Sequence, residues 1–284
     1  MAISRRVHVK DGSFLDSIGL PNSTVKKRAV DMYHTTGFTK DQIMNLCAMI
    51  HQADLRDEEC SWPPILGLFK SLTVALTYLR RNHVQAELGE YFEVSQPTIS
   101  RAVSGLTVAI TRILRDWVPV AEDLDDNTQY IADGSLLPCW SWHDHPEIFS
   151  GKHKTTGLNV QVVCDLYGRL AWVSDPVDGR RHDSAALDIS GVLEGLDPAN
   201  WMGDKGYIGK GMLTPFRKPP GGQLLEWQKE FNTAVNKIRY LIERTIAHLK
   251  TWRILHTDYR RPLATFATTI SAVVALEFYR ISCE

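Results

Sequence analysis

The sequence predicts two domains of different class, an all-helical first domain and an α/β second one with a hairpin. Apolar residues from Phe38 to Leu106 recur mostly at three and four residues, the period of buried helix faces. After residue 127 the pattern becomes alternating or β-rich, in TQYIAD, GLNVQVVCD and RLAWVSD. Between the two regimes, residues 119–127 (PVAEDLDDN) are polar, acidic and proline-bearing, as a linker is. Domains are therefore expected at residues 1–118 and 128–284, and 284 residues suffice for two cores.

In the helical part, Thr39 is placed to cap a first helix, with Gln42 three residues on to complete a capping box. Ile43, Leu46 and Ile50 line its buried face. Leu66, Phe69, Leu72, Leu76 and Leu79 do the same for a second helix. Breaks fall at an acidic turn around Asp57 and at Pro63-Pro64. Next, VQAELGEYFEVSQPTISRAVSGL reads as helix, short turn at Glu93-Val94, then a helix capped by Ser95 with Pro97 in its first turn. Ile99, Val103 and Leu106 point inward, leaving Gln96, Thr98 and Arg101 outward. That layout fits a helix-turn-helix near residues 84–107, presenting polar side chains to a DNA major groove. A plain helical hairpin is the alternative.

The second part opens with strand TQYIAD, ending near Asp133. GLNVQVVCD and RLAWVSD flank the turn LYG as a hairpin. HDSAALDISGVL reads as a helix with Asp183 or Ser184 at its cap. NWMGD is a short strand ending at Asp204, and LTPFRK is read as a fifth strand. Two helices follow, from about Leu224 to Arg253 and from about Ala264 to Ile281.

Three acids and two cations stand out. At about 100° per residue, Arg239, Glu243 and Lys250 share one helix face. A carboxylate between cations, with Asp133 and Asp204 available elsewhere, suits a metal site acting on phosphodiesters. Each residue also has a plainer reading. Asp133-Gly134 is a common turn pair, Asp204 has a similar turn reading, and Glu243 could simply pair with Arg239. The net charge of −1 conceals a strong segregation. Residues 119–204 carry 5 basic and 15 acidic side chains, and residues 205–261 carry 12 and 4. An acidic middle gathers cations and a basic tract follows a phosphate backbone.

The run NKIRYLIERTIAHLKTWR resembles the Tyr-x2-Arg-x3-Glu-x6-Lys signature of insertion-sequence transposases in the DDE superfamily, with Asn236 at the tyrosine position. DGSLLP, SGKHKTTGLNVQVVCD, GRRHDSAAL and GDKGYIG look like bacterial insertion sequence family five and its Harbinger-like relatives. The resemblance implies a ribonuclease H-like catalytic domain in which Asp133, Asp204 and Glu243 hold two Mg²⁺ ions, with Mn²⁺ able to substitute. It also implies action on double-stranded DNA, at element ends and target, by a dimer or larger homo-oligomer. Arg239 and Lys250 are read as phosphate-facing. Asp183 is assigned to helix capping, outside the metal set, with His182 as an accessory neighbour. A non-catalytic DNA-binding regulator and a nuclease without strand transfer are the alternatives.

Five scattered cysteines with no CxxC pair argue against a disulfide framework or cysteine zinc site and fit a reducing cytoplasm, which the resemblance implies is bacterial. No apolar signal region opens the chain, and TISAVVALEFYRI is expected to be too short and interrupted to cross a membrane.

Overall fold

The structure, a computed structural model, describes residues 32–55, 61–140 and 144–283. The chain falls into two compact units. One runs to Arg115 and takes in the residues from Tyr279 onward; the other is Asp116–Phe278.

Within the described residues the first unit contains α1 (Tyr33–Thr36), α2 (Lys40–Asp54), α3 (Gly67–Arg81), α4 (Gln85–Phe92) and α5 (Gln96–Ile113). The capping box at α2 is present: Thr39 accepts the Gln42 N–H, and the Gln42 side chain accepts the Thr39 N–H. The acidic turn around Asp57 lies outside the described residues. Glu93, in the left-handed region at φ 56°, turns the chain from α4 toward α5. Ile99, Val103 and Leu106 are fully buried. Ser95 occupies the N-cap position, but its hydroxyl meets Thr98 Oγ1 at 3.0 Å instead of a helix N–H. Thr98 corrects the outward expectation, since it is buried. It stands one turn before Ala102 and two before Leu106, on the inward stripe.

The second unit is a mixed sheet with helices on both faces. Its strands are β1 (Tyr130–Pro138), β2 (Phe149–Ser150), β3 (Thr155–Asp165), β4 (Leu170–Val173), β5 (Val177–Asp178) and β6 (Trp201–Met202). β1 lies between β3, antiparallel, and β6, parallel. β2, β4 and β5 also pair with β3. The expected hairpin is β3–β4, its turn closed by Asp165 Oδ1, which accepts the N–H groups of Tyr167 and Arg169.

Two strand expectations change. β1 does not end near Asp133 but continues to Pro138, so Asp133-Gly134 is mid-strand and not a turn. LTPFRK forms no strand and contributes only a bridge between Leu213 and Met202. Pro215 offers no N–H, and the Asn232 side chain takes both the N–H and the carbonyl of Phe216, leaving nothing for a ladder.

α6 (Asp183–Ser190) covers one sheet face, where Tyr130, Ala132, Val163, Trp172 and Trp201 cluster with Leu187 and Val192. α7 (Glu226–Leu249) covers the other: Thr245 Oγ1 donates to the Gly168 carbonyl at 2.9 Å, and Ile242 is fully buried. α8 (Phe266–Ser282) is rich in buried apolar residues. With its leading turn, Leu263–Ser282 is long and apolar enough to cross a membrane by length and composition, contrary to expectation, and 61% of it is buried within the fold.

Ile242 fastens α7 to the sheet, so Ile242→Ala is expected to destabilise the second unit by about 2–5 kcal/mol through cavity formation. Urea unfolding followed by tryptophan fluorescence measures this; an unchanged midpoint would show that α7 is held some other way.

Candidate active site

Parallel pairing sets Tyr130 against Trp201 and Ile131 against Met202. Asp204 follows two residues after Met202, past the paired segment, and lies near enough to Asp133 to repel its carboxylate. Asp133 Oδ1 accepts the Gly134 N–H at 2.9 Å, and its Oδ2 lies 3.3 Å from Arg239 Nη2. Asp204 caps the single turn Lys205–Tyr207, its Oδ1 accepting the Gly206 N–H at 2.6 Å.

Asp183 does not cap α6. His182 is the N-cap residue, exposed and without a side-chain cap bond, and Asp183 is the first helical residue. Its carboxylate turns away from the helix N–H groups, accepting from Lys152 Nζ at 2.8 Å and Asn159 Nδ2 at 3.1 Å. The cap expected at Asp183 is thus absent, while Asp204, expected to end a strand, caps the following turn.

Burial pushes the Asp133 carboxyl up to about 6, against the opposing pull of Arg239 and with added repulsion from Asp204 and Asp183. Lys152 is held above its ordinary value, chiefly by its hydrogen bond to Asp183, with Asp204 and Asp133 adding to the attraction. Tyr207 is shifted upward, first by burial and then by the same three acids, and its hydroxyl donates to Gln161 Oε1 at 2.6 Å. Oxygen donors of this kind suit a hard divalent cation. Asn159 Oδ1, buried and without a hydrogen-bond partner, adds a neutral oxygen beside them. Among the described residues no group of three acidic, histidine or cysteine side chains is drawn close enough to hold an ion as it stands.

Glu243 is exposed, and its carboxylate makes no hydrogen bond or ion pair with the described residues. Arg239 on the same helix and Lys250 just past its end both make contacts to β1. Arg239 is engaged by Asp133, and Lys250 Nζ donates to the Leu136 carbonyl at 3.1 Å, with burial pulling its pKa down. Both cations sit at the flank of the buried stripe of α7, where the polar edge of β1 is the nearest partner. Asn236 is exposed.

In the helical unit, Gln96 and Arg101 are exposed and line a groove of about 1050 Å³ with Trp62, Pro64, Gly105 and Val108. Gln96 Nε2 donates to Gln85 Oε1 at 2.7 Å, tying α5 to α4.

The profile of the DDE superfamily endonuclease family matches residues 132–277, which include Asp133, Asp183, Asp204 and Glu243. The chain belongs to that superfamily. It is 31% identical over 188 residues to the putative transposase for insertion sequence element IS112 of Streptomyces albus G, covering 66% of this chain and 70% of the relative. It is 29% identical over 143 residues to the probable transposase for insertion sequence element IS702 of Microchaete diplosiphon, covering 49% and 51%. No solved structure matches it significantly. For a DDE endonuclease, the polar network of Lys152, Asn159, Gln161 and Tyr207 is the part that sequence reasoning missed. A signal was available: Asn159 and Gln161 alternate within an otherwise apolar strand, on one face.

Between the ordinary value of 3.8 and about 6, the native protein holds a proton on Asp133 that the unfolded chain releases. Unfolding free energy therefore falls as pH rises through that window. Asp133→Asn is expected to remove a fall on the order of 2–3 kcal/mol. Urea titrations of both proteins in EDTA across this range measure it, and parallel profiles would show that Asp133 is not desolvated.

Proposed function

We propose that this chain is a metal-dependent DNA transposase, cutting at the ends of its own element and joining the freed 3′-hydroxyls to target DNA in the bacterial cytoplasm. The pair Asp133 and Asp204, near enough that Asp204 repels the Asp133 carboxylate, within a DDE endonuclease, carries the reading. Glu243 is the third acid. It lies one turn from Arg239 on α7, and its exposure leaves it free to meet a cation and DNA together. The mixed order β4–β3–β1–β6, with helices on both faces, supports a ribonuclease H-like fold. Two Mg²⁺ ions, or Mn²⁺ in their place, supply activation of the attacking oxygen and charge relief for the leaving one. Asp133, Asp204 and Glu243 would hold them. Arg239 keeps Asp133 aimed along β1, and exposed Lys205, Lys218, Lys237 and Arg253 give the DNA backbone a basic track.

The α4–turn–α5 unit acts as a helix-turn-helix that reads the terminal inverted repeats through Gln96 and Arg101, with Thr98 supporting from within. Acting on two ends requires at least a dimer in the working complex.

Cleavage of duplex DNA carrying the element ends is expected with Mg²⁺ or Mn²⁺ and absent with Ca²⁺ or EDTA, because the chemistry needs a tight octahedral ion. Asp133→Asn, Asp204→Asn and Glu243→Gln should each reduce cutting to background while preserving DNA binding. Equal cutting in EDTA would end the two-ion mechanism, and cutting without joining would make the protein a nuclease only.

Arg101→Ala is expected to weaken binding to the element ends by about 1–3 kcal/mol while leaving affinity for random DNA nearly unchanged. Competition binding measures both. An equal loss on the two DNAs would assign Arg101 to phosphate and withdraw its base-reading role.

A further inference from the structure

Asp183 stands outside the three acids of the proposed cleavage, yet the fold delivers it to them. Gly134 lies opposite Gln161 in the β1–β3 ladder, and a Cβ built on Gly134 would lie 2.2 Å from Asp183 Oδ1. The same glycine donates its N–H to Asp133 Oδ1 at 2.9 Å. Asp133 and Asp183, from distant parts of the chain, thus both approach Gly134, near enough for Asp183 to repel the Asp133 carboxylate, and any side chain at Gly134 would displace Asp183.

Asn159 and Gln161 alternate along β3 and bring their amides to this space. Asn159 Nδ2 donates to Asp183 Oδ1 at 3.1 Å, while its own Oδ1 is buried and unpartnered. Gln161 Nε2, within 3.2 Å of the same Cβ position, is unpartnered as well. The two residues are 5% and 0% exposed, so water does not stand in freely for a partner. An unsatisfied buried acceptor is costly, and a native fold retains one where a ligand belongs. Carboxylate oxygens beside a free amide carbonyl oxygen make the donor set of a hard divalent cation, not of an anion. Charge points the same way. The cations paired to these acids are Arg239 on Asp133 and Lys152 on Asp183, two positive groups among three negative ones.

We propose that Asp183 is a fourth metal-site residue, working with Asn159 Oδ1 to hold a divalent cation beside Asp133, and that Gly134 is the slot that admits its carboxylate. This rests on the metal-dependent reading above. Mn²⁺ binding to the full chain without DNA, measured by calorimetry, tests it. Asp183→Asn lowers Mn²⁺ affinity by about tenfold or more. Gly134→Ala, which displaces the carboxylate without altering any acid, does the same, and melting in EDTA separates either loss from a folding defect. Lys152→Ala, which takes a competing positive charge off Asp183, keeps or raises Mn²⁺ affinity. If Lys152→Ala instead weakens binding as much as Asp183→Asn, Asp183 is a clamp for Lys152 and the proposal is overturned. Unchanged affinity in Asp183→Asn, with Asp133→Asn and Asp204→Asn defective, overturns it while the proposed function stands. Unchanged affinity in all three overturns both.

Discussion

Parallel pairing between β1 and β6 is the constraint on which the catalytic unit depends. Neighbouring parallel strands cannot be joined by a tight turn, so the chain must cross over the sheet to bring β6 alongside β1. α6 makes that crossover, and its Leu187 and Val192 settle on Tyr130, Ala132 and Trp201. One connection thereby delivers two acids, Asp183 where the helix begins and Asp204 where the strand ends. The turn after β6 then holds Asp204, two residues past Met202, near enough to repel the Asp133 carboxylate.

The opposite face of the sheet belongs to α7, and the same economy of placement holds there. Ile242 and Thr245 seat the helix, and the flank they define carries Arg239 to Asp133 and Lys250 to the Leu136 carbonyl. Arg239 offsets part of the cost of burying Asp133, but not all of it, since the carboxyl is still pushed up to about 6. A site left short of positive charge in a region of low dielectric favours an incoming cation. Its charge imbalance and its membership of the DDE endonucleases thus point to the same chemistry.

The parts legible in the sequence were those written in local signals. Thr39 with Gln42 marked a helix start, the LYG turn marked the β3–β4 hairpin, and the apolar periods marked the helices with ends a few residues off. Motif phrases offered Asp133, Asp204 and Glu243 as candidates. Errors came where a residue's role depends on partners far along the chain. Asp183 follows the cap position at a helix start, and only the arrival of Lys152 and Asn159 reveals that its carboxylate is used elsewhere. Asp133-Gly134 has the composition of a turn, but β3 pairs straight through it. Thr98 sits between exposed Gln96 and Arg101, yet burial follows the helix stripe and not polarity.

Asp204 is attached to the fold more lightly than Asp133. β6 contributes two paired residues, after which Gly203 N–H reaches the Leu213 carbonyl at 3.0 Å and one short turn closes with Tyr207 N–H on the Asp204 carbonyl at 3.2 Å. Asp133, in contrast, stands mid-ladder, with paired residues on either side of it in β1. Small, sparsely bonded elements open at free energies far below that of global unfolding, and their amide protons exchange with solvent correspondingly early. One carboxylate is thus a fixed post and the other sits on a short spring. Re-aiming the second leaves the β1–β3 ladder intact.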